Sequence, residues 1–191
     1  ISLAGATVSS PGGIESVFYN PANLSSVKQS SILVGGSILY EQDFLEYIYT
    51  SIIFNIKKKH NVALTFKKLG TKSSNDDIPS SHLSSEKSLS ISQGFTLLED
   101  KNSSLRLGYN LNILALDQGQ SAGTHGDGSN GISAQNMLSV GLDFGILASL
   151  RGKIMMGAFI KNINSPRIGR GSISQFLPRR LNIGFSYIPF N

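Results

Sequence analysis

The chain has 191 residues, of which 40% are hydrophobic and only 15% are charged, and its mean hydropathy is near zero. Soluble domains carry about 25% charged residues, whereas here Ser, Asn and Gly supply much of the polarity. No run of 18 or more apolar residues occurs, which excludes a membrane-spanning helix, and the absence of Cys excludes a thiolate metal site and a disulfide framework.

The net charge of +5 raises the question of a nucleic-acid partner. The basic residues are scattered, and the tight groups are limited to Lys57, Lys58 and Lys59 and to the pair Arg179 and Arg180. No aromatic residues alternate with them, as a platform for stacked bases requires. We therefore predict no nucleic-acid partner.

The first thirty residues do not alternate between apolar and polar. Asn20 fits the N-cap of a helix, and Pro21 fits the first helical position, where a missing N–H costs nothing. The pattern predicts a short helix before the first strand. The chain starts without Met or an apolar leader, so we expect Ile1 to be a mature or trimmed start.

The rest of the chain has period-two alternation, which indicates strands with one apolar face. It predicts about eight strands, several of them near the 9–11 residues that a tilted strand needs to cross a bilayer. The clearest cover residues 104–115, 137–146 and 180–187, weaker ones cover 61–66, 88–98 and 153–161, and residues 31–40 and 44–56 are partly apolar on both faces.

The predicted joins between these strands alternate in length. Residues 57–60, 99–103 and 149–152 form tight turns, whereas 70–87, 117–136 and 164–179 are long, polar and rich in Gly or Ser; the short join at 41–43 is an exception. Outer-membrane barrels have short turns on the periplasmic side and longer loops outside. The alternation favours such a barrel over a soluble meander.

The polar face of the predicted strands is rich in Gly, Ser and Asn, as suits the interior of a barrel. We predict that five larger polar residues face this lumen: Arg106, Asn110, Asn112, Asp143 and Asn182. They are candidates for orienting a ligand or holding a plug, and the alternative is that they are an ordinary polar barrel lining.

Metal and catalytic motifs are weak. The Gly-rich stretch 123–131 has one Asp, and a calcium site needs six to eight oxygens. No Gly-x-Ser-x-Gly pentapeptide is present, and the three histidines lie in three different joins. We predict no catalytic residues, no metal, no cofactor and no enzymatic activity.

The N-terminal residues carry a family resemblance. The stretch 5–24, with the core Phe18, Tyr19, Asn20, Pro21 and Ala22, resembles the N-terminal motif of FadL-type fatty-acid transporters and PorV-type outer-membrane proteins, and is similar to fatty-acid-transporter-like proteins of spirochaetes. Later stretches at 141–145, 157–163 and 177–184 also resemble sequences of these families.

The resemblance implies an all-β fold, an antiparallel transmembrane β-barrel of about fourteen strands in the bacterial outer membrane. Residues 1–30 would form a plug in the lumen and residues 31–191 the strands of an incomplete barrel. The expected function is passive uptake of hydrophobic compounds such as long-chain fatty acids, with membrane lipids and a hydrophobic small molecule as partners. One alternative is a PorV-like protein that docks secreted or surface proteins; another is a soluble β-barrel or sandwich that carries lipid.

Overall fold

The computed structural model describes residues 8–9, 15, 18–41, 45–57, 59–72, 82–119, 130–131, 133, 135–169 and 174–189. Most of the Gly-rich stretch 123–131, including His125, lies outside the described residues.

The fold is all-β. Its ten strands are β1 (Ser31–Ile38), β2 (Leu45–Lys57), β3 (His60–Lys72), β4 (His82–Glu99), β5 (Ser103–Gln118), β6 (Gln135–Leu150), β7 (Ile154–Lys161), β8 (Arg167–Ile168), β9 (Gln175–Phe176) and β10 (Arg180–Tyr187). Eight of them form one antiparallel sheet in the order β1-β2-β3-β4-β5-β6-β7-β10, and β8 pairs with β9 in a separate two-stranded sheet. Among the described strands, β1 pairs only with β2, and β10 pairs only with β7.

All eight predicted strands are present, which confirms the period-two interpretation, but two of the predicted long joins are wrong in extent. β3 continues to Lys72 and β4 already begins at His82, inside the predicted join 70–87. Residues 67–71 of β3 and 84–88 of β4, which pair with each other, carry Ser and Lys on both faces of the sheet. The alternation of apolar residues therefore stops before the backbone hydrogen bonding between the two strands does. The predicted join 164–179 contains the β8–β9 hairpin.

The predicted short helix is confirmed as a 3-10 helix, Pro21–Ser26. Asn20 is its N-cap and accepts a hydrogen bond from the Ala22 N–H at 3.0 Å, and Pro21 occupies the start of the helix, as predicted. None of the described helices is long and apolar enough to cross a membrane.

The 3-10 helix packs on one face of the eight-stranded sheet, which we call the inner face, and the opposite face is the outer face. Directly paired residues of antiparallel strands point to the same face, so the register assigns each side chain. The inner face carries buried Gly, Ser, Asn and Asp, whereas the outer face carries exposed apolar residues in every strand. Examples from the outer face are Ile32, Phe54, Leu64, Ile91, Leu111, Leu138, Leu142, Met156, Leu181 and Ile183.

The apolar core of this fold is small. Leu24 of the 3-10 helix packs against Ile53 and Ala63 of the inner face, and Phe18 and Val27 cover this cluster. The hydrophobic side chains are therefore distributed opposite to those of a soluble sheet, in which the apolar face is buried and the polar face is exposed. Most of the buried contacts on the inner face are made by small or polar residues.

Candidate functional site

A row of three glycines forms the seat of the 3-10 helix. Gly94, Gly108 and Gly145 are direct neighbours across β4, β5 and β6. A Cβ at Gly94 would lie 2.6 Å from the Pro21 carbonyl oxygen, and Cβ atoms at the other two would approach Pro21 and Asn20 even more closely. The helix backbone reaches the sheet because these three positions have no side chain.

Asn20 fastens this contact through its side chain. Its amide group donates to the carbonyl oxygens of Val8 at 3.0 Å and of Ile146 in β6 at 3.2 Å, while its oxygen caps the helix. Asn20 has no exposed surface. A fully buried amide needs such partners, because burying an unpaired polar group costs free energy.

Two further side chains of the sheet hold the far end of the helix. The Asn61 amide donates to the carbonyl oxygens of Leu24 at 2.7 Å and of Val27 at 2.6 Å. The Arg106 guanidinium donates to the Ser26 hydroxyl at 2.6 Å. The helix is thus attached at both ends, at its start through the side chain of Asn20 and at its end through Asn61 and Arg106 of the sheet.

A second pair of glycines receives residues 8 and 9. Gly157 in β7 and Gly184 in β10 are direct partners. A Cβ at Gly157 would collide with the Val8 backbone, and one at Gly184 would lie 3.0 Å from the Ser9 hydroxyl. Residues 8 and 9 and the 3-10 helix therefore lie on five glycines of the inner face, which we call the glycine path: Gly184, Gly157, Gly145, Gly108 and Gly94.

Next to this seat the inner face contains a cavity of about 410 Å³. Apolar side chains from several elements contribute to its wall, namely Phe18, Leu69, Leu114, Phe159, Ile168 and Leu177. Its charged lining residues with side chains on the inner face are Lys67, Lys161, Asp143 and Glu86, and its polar lining includes serines of β4. A cavity with apolar walls and a few polar groups is the usual form of a small-molecule site.

The polar end of the cavity lies two residues along the strands from the glycine row, on the same face. There Ser92, Asn110 and Asp143 are direct neighbours across β4, β5 and β6. Asp143 is only 4% exposed and accepts hydrogen bonds from the Asn110 amide at 3.2 Å, the Asn112 amide at 2.7 Å and the Asn162 backbone N–H at 2.8 Å. These three donors make it possible to bury the carboxylate.

An aromatic cluster borders the cavity on the side of β2 and β3. The Phe18 and Tyr49 rings meet edge to face with centroids 5.3 Å apart, and Tyr47 lies against Tyr49 at 5.8 Å. The Lys67 ammonium lies 4.6 Å from the centre of the Phe18 ring, a cation–π contact. Phe18 thus connects the residues before the helix with the wall of the cavity.

The structure divides the predicted site residues between these places. Asn20, Pro21 and Ala22 are buried on the glycine row, Phe18 lines the cavity, and Tyr19 is half-buried. Of the residues predicted to face the lumen, Asn110, Asn112 and Asp143 line the cavity, Arg106 contacts the 3-10 helix, and Asn182 shares the inner face but is exposed on β10.

Other residues of the site are not apparent from the sequence. Lys67, Lys161 and Asn162 line the cavity. The strand predicted at residues 61–66 ends one residue before Lys67. Gly94 and Gly157 complete the glycine path. If the alternation is continued past Phe66, Lys67 falls on the same polar face as Thr65. That the glycines of neighbouring strands lie side by side follows only from the register between the strands, which the alternation within one strand does not give.

Within the described residues, no group of three or more His, Cys, Asp or Glu side chains is arranged to hold a metal ion. A search of protein-family models finds none that matches this chain, and a search of curated proteins finds no match either.

Proposed function

We propose that the chain forms the wall of a bacterial outer-membrane β-barrel that takes up hydrophobic compounds such as long-chain fatty acids, with the N-terminal residues as a plug. The observation that carries the proposal is the inverted sheet, with exposed apolar side chains on its outer face and a polar inner face that holds the helix. Strands of outer-membrane barrels alternate in this way between lipid and lumen.

The size of the apolar surface supports a membrane environment. Exposed large hydrophobic side chains occur on all eight strands of the sheet, and several of them, such as Ile183 at 76% and Leu138 at 71%, are exposed over most of their surface. Soluble monomers rarely present contiguous apolar patches beyond a few hundred Å². A continuous apolar face over eight strands requires an apolar surrounding.

The height of this surface also fits a bilayer. On the outer face of β3 and β4 the apolar side chains end at Lys68 and Lys87, which are direct partners. The opposite end of β4 carries Glu99, which forms an ion pair with Lys59 at 3.2 Å. About twelve residues at 3.3 Å each, tilted by roughly 40°, give about 30 Å, near the 25 Å apolar band of such barrels.

The cavity supports a hydrophobic ligand with a polar end. Its apolar walls suit a hydrocarbon chain, while Lys67 and Lys161 suit a carboxylate. The N-terminal helix lies beside the cavity, because Phe18 both lines the cavity and packs against the cluster around Leu24 of the helix. A ligand at this place would contact the proposed plug directly.

In a bilayer the outer edges of β1 and β10 also need partners, because an unpaired backbone group in lipid costs several kcal/mol. Under the proposal these edges pair with each other or with further strands, as in the fourteen-stranded barrels that the family resemblance implies.

The membrane environment is tested by solubility. We expect the purified chain to need detergent or lipid to remain dispersed, because the outer face would otherwise associate with other copies. The measurement is size-exclusion chromatography with and without detergent. A monodisperse monomer at high concentration in plain buffer would contradict the proposal.

Transport is tested separately with liposomes that contain the protein and an internal fluorescent fatty-acid sensor. We expect faster entry of hexadecanoic acid than into protein-free liposomes, and slower entry when Lys67→Ala and Lys161→Ala are combined. Insertion into liposomes without any uptake would reject the transport function and leave the docking function that the resemblance also implies.

A further inference from the structure

Two amide oxygens of residues that line the cavity have no hydrogen-bond partner in the part of the chain that the structure describes. They are Oδ1 of Asn110 and Oδ1 of Asn162, and both side chains line the cavity. Asn110 is 7% exposed and Asn162 is 6% exposed. A buried unpaired acceptor costs about 1–3 kcal/mol, and native structures contain few of them.

The amide nitrogens of both side chains already have partners, which determines how the side chains are oriented. The Asn110 nitrogen donates to Asp143 at 3.2 Å, and the Asn162 nitrogen donates to the Pro178 carbonyl oxygen at 3.2 Å. Turning either amide around would break these bonds and would bring the Asn110 oxygen towards the carboxylate. The two oxygens are therefore held as acceptors.

Asp143 lies between these residues and adds carboxylate oxygens to the same end of the cavity. It accepts from Asn110, Asn112 and the Asn162 backbone. Lys67 and Lys161 line the same cavity and provide hydrogen-bond donors of positive charge. The polar end thus combines cationic groups, which attract an anion, with neutral acceptors, which need N–H or O–H donors.

We infer that the ligand of this cavity is an amphiphile whose head group carries an O–H or N–H donor beside its anionic group, rather than a simple fatty acid. The donor bonds to Oδ1 of Asn110 or Asn162, the anion lies towards Lys67 and Lys161, and the hydrocarbon chain follows the apolar wall. This inference rests on the proposed function, because it concerns the ligand of the same cavity.

A ligand without the donor leaves both amide oxygens buried and unpaired, and a site built to bond such a group discriminates against the analogue that lacks it. A single hydrogen bond between neutral groups contributes about 1 kcal/mol, or about fivefold in affinity. A ligand that reaches both oxygens gains more. We therefore expect a preference of about fivefold to tenfold.

The experiment compares three probes in detergent solution, by their displacement of a fluorescent fatty acid from the whole chain. Hexadecanoic acid has no additional donor, 2-hydroxyhexadecanoic acid has an O–H, and N-tetradecanoylglycine has an N–H. We expect at least one donor-bearing probe to bind about fivefold more tightly than hexadecanoic acid, and the better of the two identifies the kind of donor.

Two single variants test the assignment to residues. The preference for the donor-bearing probe should decrease towards onefold in the variant that removes the oxygen to which the donor bonds, Asn110→Ala or Asn162→Ala. Because Asn110→Ala also removes a donor to Asp143, Asn162→Ala provides the independent test, since its backbone N–H still reaches Asp143. Leu111→Ala on the outer face of β5 is the control and should keep the full preference.

Equal affinity of the wild-type protein for all three probes would overturn the inference, and so would a preference that persists in both variants. Neither result affects the proposed uptake of hydrophobic compounds, because hexadecanoic acid still binds in both cases. If none of the three probes binds, the proposed function fails together with the inference.

Discussion

The two faces of the eight-stranded sheet differ in what stabilises them. The outer face is uniform, with exposed apolar side chains from β1 to β10. The inner face has two distinct parts, a glycine row that contacts the 3-10 helix and a cavity bordered by Asn110 and Asp143. Close backbone contact and hydrogen bonds hold the inner face together, whereas the outer face depends on its surroundings. The difference shows that residue size is specified inside and hydrophobicity outside.

The largest effect should come from placing a charge on the outer face. Leu142→Arg should cost about 2–4 kcal/mol of folding free energy, because Leu142 lies near the middle of the outer face of β6 and, in the proposed membrane environment, an arginine there would face lipid. Asn182→Arg should cost much less, because Asn182 is on the inner face of β10 and is exposed. Urea titrations in lipid vesicles measure both, and equal costs would contradict the assignment of the two faces.

On the inner face, the free energy of unfolding should depend on the size of the side chain. Gly108→Ala should cost about 1–3 kcal/mol through overpacking, because the new Cβ would collide with the backbone of Pro21 and Ala22. Gly70→Ala is the matched control, since a Cβ there would meet its nearest atom, Lys68 Cε, at an ordinary 3.7 Å. Denaturant titration combined with proteolysis before Val27 provides the measurement. Equal effects of the two variants would show that the glycine row is not a specific seat.

Loss of the contacts that attach the helix should lower the free energy of unfolding by less than the substitutions on the outer face and in the glycine row. Asn20→Ala combined with Pro21→Ala should loosen the N-terminal residues by about 0.5–2 kcal/mol, the contribution of a helix cap, and leave the sheet folded. Asn20→Asp separates two roles, because it keeps the acceptor for Ala22 and loses the donors to Val8 and Ile146. Limited proteolysis should show faster cleavage before Val27, and unchanged protection in the double variant would leave the plug without support.

The smallest effect is expected at the end of β4, beyond the apolar surface. Lys59 and Glu99 form an ion pair with half of each side chain exposed. Such a pair contributes less than about 1 kcal/mol and is weakened by salt. A double-mutant cycle with Lys59→Ala and Glu99→Ala at low and high salt measures it. A strong coupling that salt does not change would mean that this end is not in water.

Local patterns in the sequence were sufficient for much of the fold. The alternation in 104–115, 137–146 and 180–187 predicted β5, β6 and β10, because the side chains of a strand point to opposite faces in turn. Asn20 and Pro21 predicted the start of the helix, because capping depends only on neighbouring residues. The alternation did not predict the first residues of β4, where polar residues occupy both faces, or the short β8–β9 hairpin.

The sequence by itself determined the alternating parts of the long strands, the apolar face of β5, β6 and β10, and the residue at which the N-terminal helix begins, since all three depend on residues close together in the chain. Only the tertiary structure decided that Gly94, Gly108 and Gly145 form one row under Pro21, and that Asn110 and Asn162, whose amide oxygens have no partner among the described residues, line one cavity. The physical reason is that these groups lie far apart in the chain, Pro21 and Gly145 by 124 residues, and become neighbours only through the register of β4 to β7 and the packing of the 3-10 helix on the sheet.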